Sequence, residues 1–203
     1  GFAPRSDLST GSNPYGVVTG DFNGDGRQDL ATANLGASTV SVYLQSAAGA
    51  FGSRSDYLVG STPYGLVVGD FNADGRQDLA TANQGNNTVS VLLGSGSGSF
   101  PTRNDYSVGA RPLRVAVGDF NGDGRQDLVS ANYQGSSVSV LLGSGAGSFA
   151  PRADYATGSG ATAVAVGDVN GDGRQDLATA NFGANSVSVL LGSGTGSFAS
   201  KVD

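Results

Sequence analysis

Short apolar segments separated by glycine-rich turns make up most of this chain. The clearest segment is SVSVLL at residues 137–142, where apolar and polar side chains alternate as in a strand with one buried face. Two further strands are predicted before it, VAVG at Val115–Gly118 and QDLVSAN at Gln126–Asn132. No segment has a sustained apolar period of 3.6 residues, so the pattern predicts an all-β chain.

The strand pattern recurs every 49 residues without insertion or deletion. One position of the four copies is occupied by Asp21, Asp70, Asp119 and Asp168. A Gly/Ser turn then leads to a fourth strand, FAPRADYATG at 149–158, whose Pro151 suits a sheet edge. Four antiparallel strands in about 40–50 residues, repeated in tandem, are typical of a propeller blade. We therefore predict one domain over residues 1–203, a β-propeller of four four-stranded blades; a solenoid is the alternative.

The two ends of the chain bear on how such a ring closes. Residues 1–11 read as a fourth strand, and residues 198–203 read as the start of another. We expect the strand over residues 1–11 to complete the last blade. Within one chain this gives a four-bladed ring, whereas between two chains it gives a homodimer that closes an eight-bladed ring without exposed edges. A third reading is that the segment belongs to a longer array, natural or engineered.

An acidic loop follows the first strand of every copy. In residues 21–29 the pattern D-x-N-x-D-G-x-x-D places side-chain oxygens at positions 1, 3, 5 and 9 and a glycine at position 6. Oxygen ligands on a flexible loop suit Ca²⁺, with a backbone carbonyl at position 7 completing the set. Three carboxylates within about 5 Å repel one another by about 1 kcal/mol or more per pair unless a cation intervenes. The alternative is a metal-free loop of Asx-turns.

The four loops, at residues 21–29, 70–78, 119–127 and 168–176, predict about four Ca²⁺ ions per chain. Position 12 is Thr32 where an EF-hand has a glutamate, so we expect the aspartate at position 9 to close each site. The predicted ligands, with the arginines contributing their carbonyl oxygens, are Asp21, Asn23, Asp25, Arg27, Asp29, Asp70, Asn72, Asp74, Arg76, Asp78, Asp119, Asn121, Asp123, Arg125, Asp127, Asp168, Asn170, Asp172, Arg174 and Asp176.

Composition narrows the classes of function. The 203 residues carry a formal net charge of −6 and include no Cys and no His. The missing cysteines rule out disulfides and thiolate metal sites, and the acidic balance argues against a nucleic-acid partner. No apolar stretch approaches the roughly 18 residues of a membrane span. Because every aspartate occupies a repeated position, no catalytic base stands out, and we predict that the protein is not an enzyme.

Positions that differ between the copies predict where a ligand binds. They fall in the turn between the second and third strands and in the connection from the fourth strand to the next first strand. We expect both on one face of the ring, opposite the calcium loops. Aromatic side chains beside glutamine and arginine suit a sugar or a peptide; the alternative is solvent loops that have drifted. The candidate ligand-binding residues are Tyr15, Tyr64, Gln84, Arg111, Arg114, Tyr133 and Phe182.

The segment AVAVGDVNGDGRQDLATAN at 163–181, followed by VSVLLGSGTGSF at 187–198, resembles the FG-GAP/VCBS repeat. This repeat is the blade of integrin α-chain propellers and of many secreted bacterial proteins. The resemblance extends over the whole chain, although Gly158–Ala161 lacks the proline of the other copies. It implies propeller blades, calcium between the first two strands of each blade, and a binding role in adhesion or glycan recognition, without implying one ligand.

We therefore expect a secreted, calcium-stabilised binding module for a glycan or a protein. Weak calcium sites fill only where calcium is abundant, as it is outside cells. Two alternatives stay open: a structural or engineered repeat scaffold without a specific ligand, and a non-catalytic domain of a secreted polysaccharide-active enzyme.

Overall fold

The computed structural model of this chain describes residues 5–200, in which the secondary structure is fifteen β-strands and no helix. The first sheet contains β1 (Pro14–Gly20), β2 (Asp29–Asn34), β3 (Thr39–Tyr43) and β4 (Ser55–Leu58). The second contains β5 (Pro63–Gly69), β6 (Asp78–Asn83), β7 (Thr88–Leu93) and β8 (Thr102–Ser107). The third contains β9 (Pro112–Gly118), β10 (Asp127–Asn132), β11 (Ser137–Leu141) and β12 (Ala153–Ala156). The fourth contains β13 (Ala161–Gly167), β14 (Asp176–Asn181) and β15 (Ser186–Leu190).

Each sheet is an antiparallel meander in chain order. The predicted all-β class is confirmed, and so are the strands predicted within the third repeat, which lie at β9, β10 and β11. Closure into a ring is not shown: β1 packs on β5, β5 on β9 and β9 on β13, but β1 does not pack on β13. Among residues 5–200 the sheets therefore form an open row.

The amino-terminal segment lies against the first sheet. Residues 5–13 form no strand, and the Ser9 carbonyl accepts a hydrogen bond from the Tyr43 hydroxyl at 2.7 Å. The fourth sheet has three strands within the described range. Residues 1–4 of the predicted completing strand, and residues 201–203, lie outside the described residues, so completion of the last blade by residues 1–11 stays a prediction.

The hydrophobic core lies between the sheets, because each sheet packs a face of small residues onto a face of leucines. Ala31, Val40 and Val42 of the first sheet contact Leu79 and Leu92 of the second. The next two pairs of sheets repeat this packing with the corresponding residues. Small side chains opposite large ones let two twisted sheets approach closely enough to exclude water.

A polar ladder crosses each of the first three sheets. The Asn34 amide donates to the Ser41 hydroxyl at 2.8 Å, which in turn donates to the Asp56 carboxylate at 2.6 Å. Asp56 pairs at 3.1 Å with Arg54, which directly precedes the strand. Because buried polar groups cost stability unless they are hydrogen-bonded, this chain of bonds offsets part of the cost of the polar interior, although the side-chain oxygen of Asn34 has no partner within residues 5–200. The ladder recurs at Asn83, Ser90 and Asp105 and at Asn132, Ser139 and Asp154.

Candidate functional site

The acidic loops and the variable turns lie at opposite ends of the strands. In the first sheet β1 ends at Gly20 and β2 begins at Asp29, so residues 21–28 form the connection at one end. The turn between β2 and β3 and the segment that enters β1 lie at the other end. We call these the loop edge, formed by residues 21–28 and their three repeats, and the variable edge, formed by residues 12–15 and 35–38 and their repeats.

Within each acidic loop the first aspartate organises the backbone. The Asp21 carboxylate accepts hydrogen bonds from the backbone N–H groups of Gly24, Asp25 and Gly26 at 2.8, 3.1 and 2.8 Å. The N–H of Asp25 also donates to the side-chain oxygen of Asn23 at 3.1 Å. Oxygens from positions 1 and 3 therefore lie beside one another. Gly26 has φ 81°, a left-handed conformation that glycine adopts without strain, which explains the glycine at position 6.

The aspartate at position 9 acts as a buried anchor. Both oxygens of Asp78 accept backbone N–H groups, from Phe71 at 2.8 Å and from Gly94 at 2.7 Å. Burial raises the pKa of Asp78 to about 6, although these two hydrogen bonds oppose the shift. Burial also raises the pKa of Asp127. The Asp78 carboxylate therefore links Phe71, within the loop, to Gly94, which follows the third strand of the sheet.

The pKa is lowered for one carboxylate at position 1 and for one at position 5. Hydrogen bonds from the backbone N–H groups of Gly173 and Gly171 lower the pKa of Asp168, against a smaller opposing effect of burial. Burial by itself raises the pKa of Asp25, but hydrogen bonds from the Arg27 backbone, the Asn23 amide and the Arg27 guanidinium together lower it by more. A loop that keeps these carboxylates charged at neutral pH has the protonation state that a cation requires.

The donor set of the loop fits calcium by its chemistry. Among residues 5–200 no three carboxylates are arranged so that they hold a metal ion as they stand. The oxygens at positions 1, 3 and 5 nevertheless come from one tight turn, and a carboxylate oxygen that accepts one N–H keeps a second lone pair for a cation. The four predicted calcium sites stay a prediction.

Neighbouring loops are joined by a residue that the motif analysis missed. The side-chain oxygen of Gln126 accepts the N–H of Asp70 at 2.8 Å, and Gln175 does the same for Asp119. Position 8 of the third and fourth loops thus holds position 1 of the preceding loop, whereas the buried side-chain oxygen of Gln77 in the second loop has no hydrogen-bond partner among the described residues. The signal was visible, since RQD is identical in all four copies, but a glutamine at that position has no role in metal binding and the bond becomes evident only when the sheets are stacked.

Backbone hydrogen bonds bring the two kinds of variable turn together on one edge, as predicted. The N–H of Tyr133 donates to the carbonyl of Arg111 at 2.9 Å, and the N–H of Gln84 donates to Thr62 at 3.0 Å. The other two copies make the same bond, from Leu35 to Asn13 and from Phe182 to Gly160. Arg111 has φ 54°, a strained conformation for a side chain of its size that this pairing holds in place.

The predicted ligand-binding residues form two clusters and one isolated position. Tyr15 and Tyr64 pack with ring centroids 4.5 Å apart, and the Arg114 guanidinium lies 5.2 Å from the Tyr15 ring. A second cluster places Arg111 5.6 Å from the Tyr133 ring, with the Gln84 side-chain oxygen 2.7 Å from its guanidinium. Phe182 lies apart on the fourth sheet, where its ring is exposed.

Tyr15 and Arg114 of the first cluster line a pocket of about 360 Å³ together with Gly16, Gly65 and Val115. It adjoins an apolar groove of about 610 Å³ along the inner strands β1, β5 and β9. Of the ten arginines in the described residues, eight pair with an aspartate two residues away; the remaining two are Arg111 and Arg114. The variable edge therefore carries the uncompensated positive charge.

Comparison with known proteins identifies the repeat and the fold. The family described as FG-GAP-like repeat matches residues 21–81, 70–130 and 119–179. A search of curated proteins finds no match. Among solved structures, a protein from Lactobacillus plantarum is 20% identical with a TM-score of 0.73, and the match covers 94% of this chain and 56% of that one. An Agrocybe aegerita lectin, whose structure concerns recognition of non-reducing terminal N-acetylglucosamine, is 21% identical with a TM-score of 0.64, covering 92% and 51%.

A third similar structure corrects the prediction that this protein is not an enzyme. The periplasmic gluconolactonase of Pseudomonas aeruginosa is 20% identical with a TM-score of 0.64, covering 94% of this chain and 53% of that one. Since the fold is shared with an enzyme, the prediction is wrong: missing histidine, cysteine and glutamate do not by themselves exclude catalysis. This chain spans just over half the length of the structures it resembles. The described residues contain no helix long and apolar enough to cross a membrane.

Proposed function

This chain belongs to the FG-GAP-like repeat family, and on that premise we propose that it is a secreted, calcium-stabilised propeller module that binds a saccharide at its variable edge. The observation that carries the proposal is the cluster in which Tyr15 and Arg114 line a pocket and Tyr64 packs against the Tyr15 ring. The fold is one that the Agrocybe aegerita lectin also uses.

The chemistry of this cluster suits a sugar ring. Tyrosine rings offer flat apolar faces with a hydroxyl at the rim, and such faces pack against the C–H face of a pyranose. A guanidinium adds several N–H donors in a fixed plane, which suit vicinal hydroxyls or a carboxylate. Because Arg111 and Arg114 have no aspartate partner, a sugar that carries a carboxylate gains an attraction that a neutral sugar lacks.

The test is titration calorimetry with a panel of neutral and uronic-acid oligosaccharides. Tyr15→Ala and Arg114→Ala should each weaken binding at least about tenfold, while Leu58→Ala, an exposed residue on an outer strand, should leave it unchanged. A panel in which no saccharide binds, or binding that Tyr15→Ala leaves intact, would contradict the proposal. A sugar lactone belongs in the panel because of the gluconolactonase fold, with hydrolysis followed directly.

Calcium would be held by the side chains of Asp21, Asn23 and Asp25 and the carbonyl of Arg27, with Asp29 closing the site, and by their repeats. When bound, the ion would neutralise the clustered carboxylates and fix the loop that begins the second strand. Calorimetry with CaCl₂ on chelator-treated protein should find about four ions per chain, and native mass spectrometry should count them.

Loop variants separate calcium binding from general stability. Asp25→Asn and Asp123→Asn should each remove one ion, whereas Asp105→Asn, which changes a carboxylate outside the loops, should remove none. If chelator-treated protein takes up no calcium at 10 mM, a concentration about tenfold above the weakest sites of this kind, the calcium assignment fails while the saccharide assignment is still judged on its own titration.

A further inference from the structure

The last sheet exposes a face that the other three sheets bury. Val187 is 55% exposed, whereas its counterparts Val40, Val89 and Val138 are 0% exposed because the next sheet covers them. Val169 is exposed too, at the position where Phe22, Phe71 and Phe120 are buried. The fourth sheet therefore presents the Ala/Val face that elsewhere packs onto leucines, and nothing in the described residues covers it.

The first sheet exposes part of the complementary face, since Tyr43, at the position of Leu92 and Leu141, is only 4% exposed and bonds to Ser9. Val17 is 66% exposed, while its counterpart Leu66 is 8% exposed beneath the preceding sheet. Gln28 is exposed as well, although Gln77, Gln126 and Gln175 at the same loop position are half-buried. At the three internal contacts the counterparts of Val17 pack in the apolar clusters, and at two of them the glutamine also accepts a hydrogen bond from the preceding loop.

On the first and fourth sheets, the groups that form the hydrogen bonds between neighbouring loops lack their partners within the described range. At two of the three internal contacts, the glutamine at loop position 8 accepts the N–H at loop position 1 of the sheet before it, whereas at the contact of the first and second sheets the Gln77 side-chain oxygen has no partner in the part of the chain that the structure describes. On the fourth sheet the donor is the N–H of Asp168, which has no acceptor among residues 5–200. On the first sheet the acceptor is Gln28, whose side chain points into solvent. Each end thus carries one half of a bond that the chain forms elsewhere.

We propose that the exposed face of the fourth sheet is covered by the exposed face of the first sheet from a second copy of this chain. The same contact made in return, from the second copy onto the first, closes a pair with eight sheets and two identical interfaces. The occupant is a second copy because its first sheet repeats the surface that the fourth sheet's own sequence meets at three internal contacts. Closure within one chain is not what the structure has, since β1 and β13 do not pack together.

The size of the similar structures agrees with a pair. This chain covers 51% of the Agrocybe aegerita lectin and 53% of the gluconolactonase, so each of those chains is about twice as long as the part that matches. Two copies of this chain supply that amount. The pair also removes both apolar end faces from water, which a single chain leaves exposed.

The experiment is sedimentation velocity on the 203-residue chain from about 1 to 100 µM, supported by native mass spectrometry. The expected species has twice the mass of one chain. Val187→Asp should weaken the pair at least about a hundredfold, because it places a charge in an apolar contact that occurs twice. Leu58→Asp is the matched control: its counterparts Ser107 and Ala156 stay exposed even where sheets pack, so the position lies outside the contact. Circular dichroism checks that both variants fold.

A mixing experiment tests the direction of the contact. Val17→Asp alone and Val187→Asp alone should each sediment as single chains. Mixed in equal amounts they should associate one to one, because one unmodified interface is regenerated between the two variants. A single-chain species for the unmodified protein at 100 µM would overturn the proposal. So would a pair that survives Val187→Asp, an open ladder of larger species, or a mixture that does not associate.

Discussion

The second and fourth sheets carry nearly the same sequence in different surroundings. β6 and β14 both read DLATAN, yet every residue of β6 is buried whereas Ala180 of β14 is exposed. The difference comes from the neighbours, because the second sheet has a sheet on each side and the fourth has one on a single side. In this fold a strand's sequence decides which residues can be buried, and stacking decides which are.

The second sheet shows what that stacking contributes. Its Ala/Val face and its leucine face both lie in apolar clusters, and its loop donates one hydrogen bond to the glutamine of the next loop. The fourth sheet has only the leucine half of this arrangement. The same substitution should therefore lower the free energy of unfolding by different amounts in the two sheets. Each sheet serves as the control for the other.

The largest difference is expected for a charge placed on the Ala/Val face. Val89→Asp should lower the free energy of unfolding by about 4 kcal/mol or more, because the carboxylate would be buried between two sheets without a partner. Val187→Asp should change it by less than about 0.5 kcal/mol in dilute solution, where single chains predominate. Urea unfolding below 1 µM measures both; equal losses would show that the fourth sheet is covered.

The different burial of the second and fourth sheets could not be predicted from their nearly identical sequences. The strands, the acidic loops and the meeting of the two variable turns follow from a repeat of 49 residues, since each depends on local pattern or on connections within one repeat. The ring closure predicted from the same repeat is not shown, because four equivalent units carry no information about the angle between them. The glutamine bonds between loops were missed for a related reason: Gln126 and Asp70 are 56 residues apart.

A smaller difference in the free energy of unfolding is expected between the second and fourth sheets when the aspartate at loop position 9 is replaced. Asp78→Ala would leave the N–H groups of Phe71 and Gly94 buried without acceptors, at a cost of about 3 kcal/mol. Asp176 makes the same bonds with Val169 and Gly192, but Val169 is exposed, so its N–H can turn to water. Asp176→Ala should therefore cost about 1 to 2 kcal/mol. Chemical denaturation in calcium-free buffer compares them, and a larger loss for Asp176→Ala would contradict this account.

Lowering the pH from 7 to 5 should stabilise the protein through the second and third sheets, which are packed on both faces. Burial raises the pKa of Asp78 to about 6 and also raises that of Asp127. In the folded state these carboxyls bind protons that the unfolded chain, with a pKa near 3.9, releases, so stability falls as pH rises from about 4 through 6. Calcium-free protein should melt about 4 °C higher at pH 5 than at pH 7.

The control for the pH effect is Asp78→Asn, which cannot titrate. Its gain in melting temperature between pH 7 and pH 5 should be clearly smaller than that of the unmodified chain. The lowered pKa values of Asp25 and Asp168 work the other way, but only below about pH 4, since their stabilising charge is lost when they protonate. A melting temperature that falls between pH 7 and pH 5 in calcium-free buffer would refute the burial argument.

The smallest expected effect on stability is for the glutamine at loop position 8, which is compared between the third loop, inside the row of sheets, and the first loop, at its end. Gln126→Ala removes the acceptor for the Asp70 N–H, so it should cost about 1 kcal/mol, or about 2–4 °C in melting temperature. Gln28→Ala removes an exposed side chain and should cost nothing measurable in the monomeric Val187→Asp background. In the otherwise unmodified chain at 100 µM, a second copy would present the Asp168 N–H at each of the two interfaces. Gln28→Ala should therefore weaken association about thirtyfold, the fold-change expected for two hydrogen bonds of about 1 kcal/mol each. If Gln28→Ala destabilises the monomer as much as Gln126→Ala does, the glutamine acts within its own loop, and its role as a link between sheets is disproved.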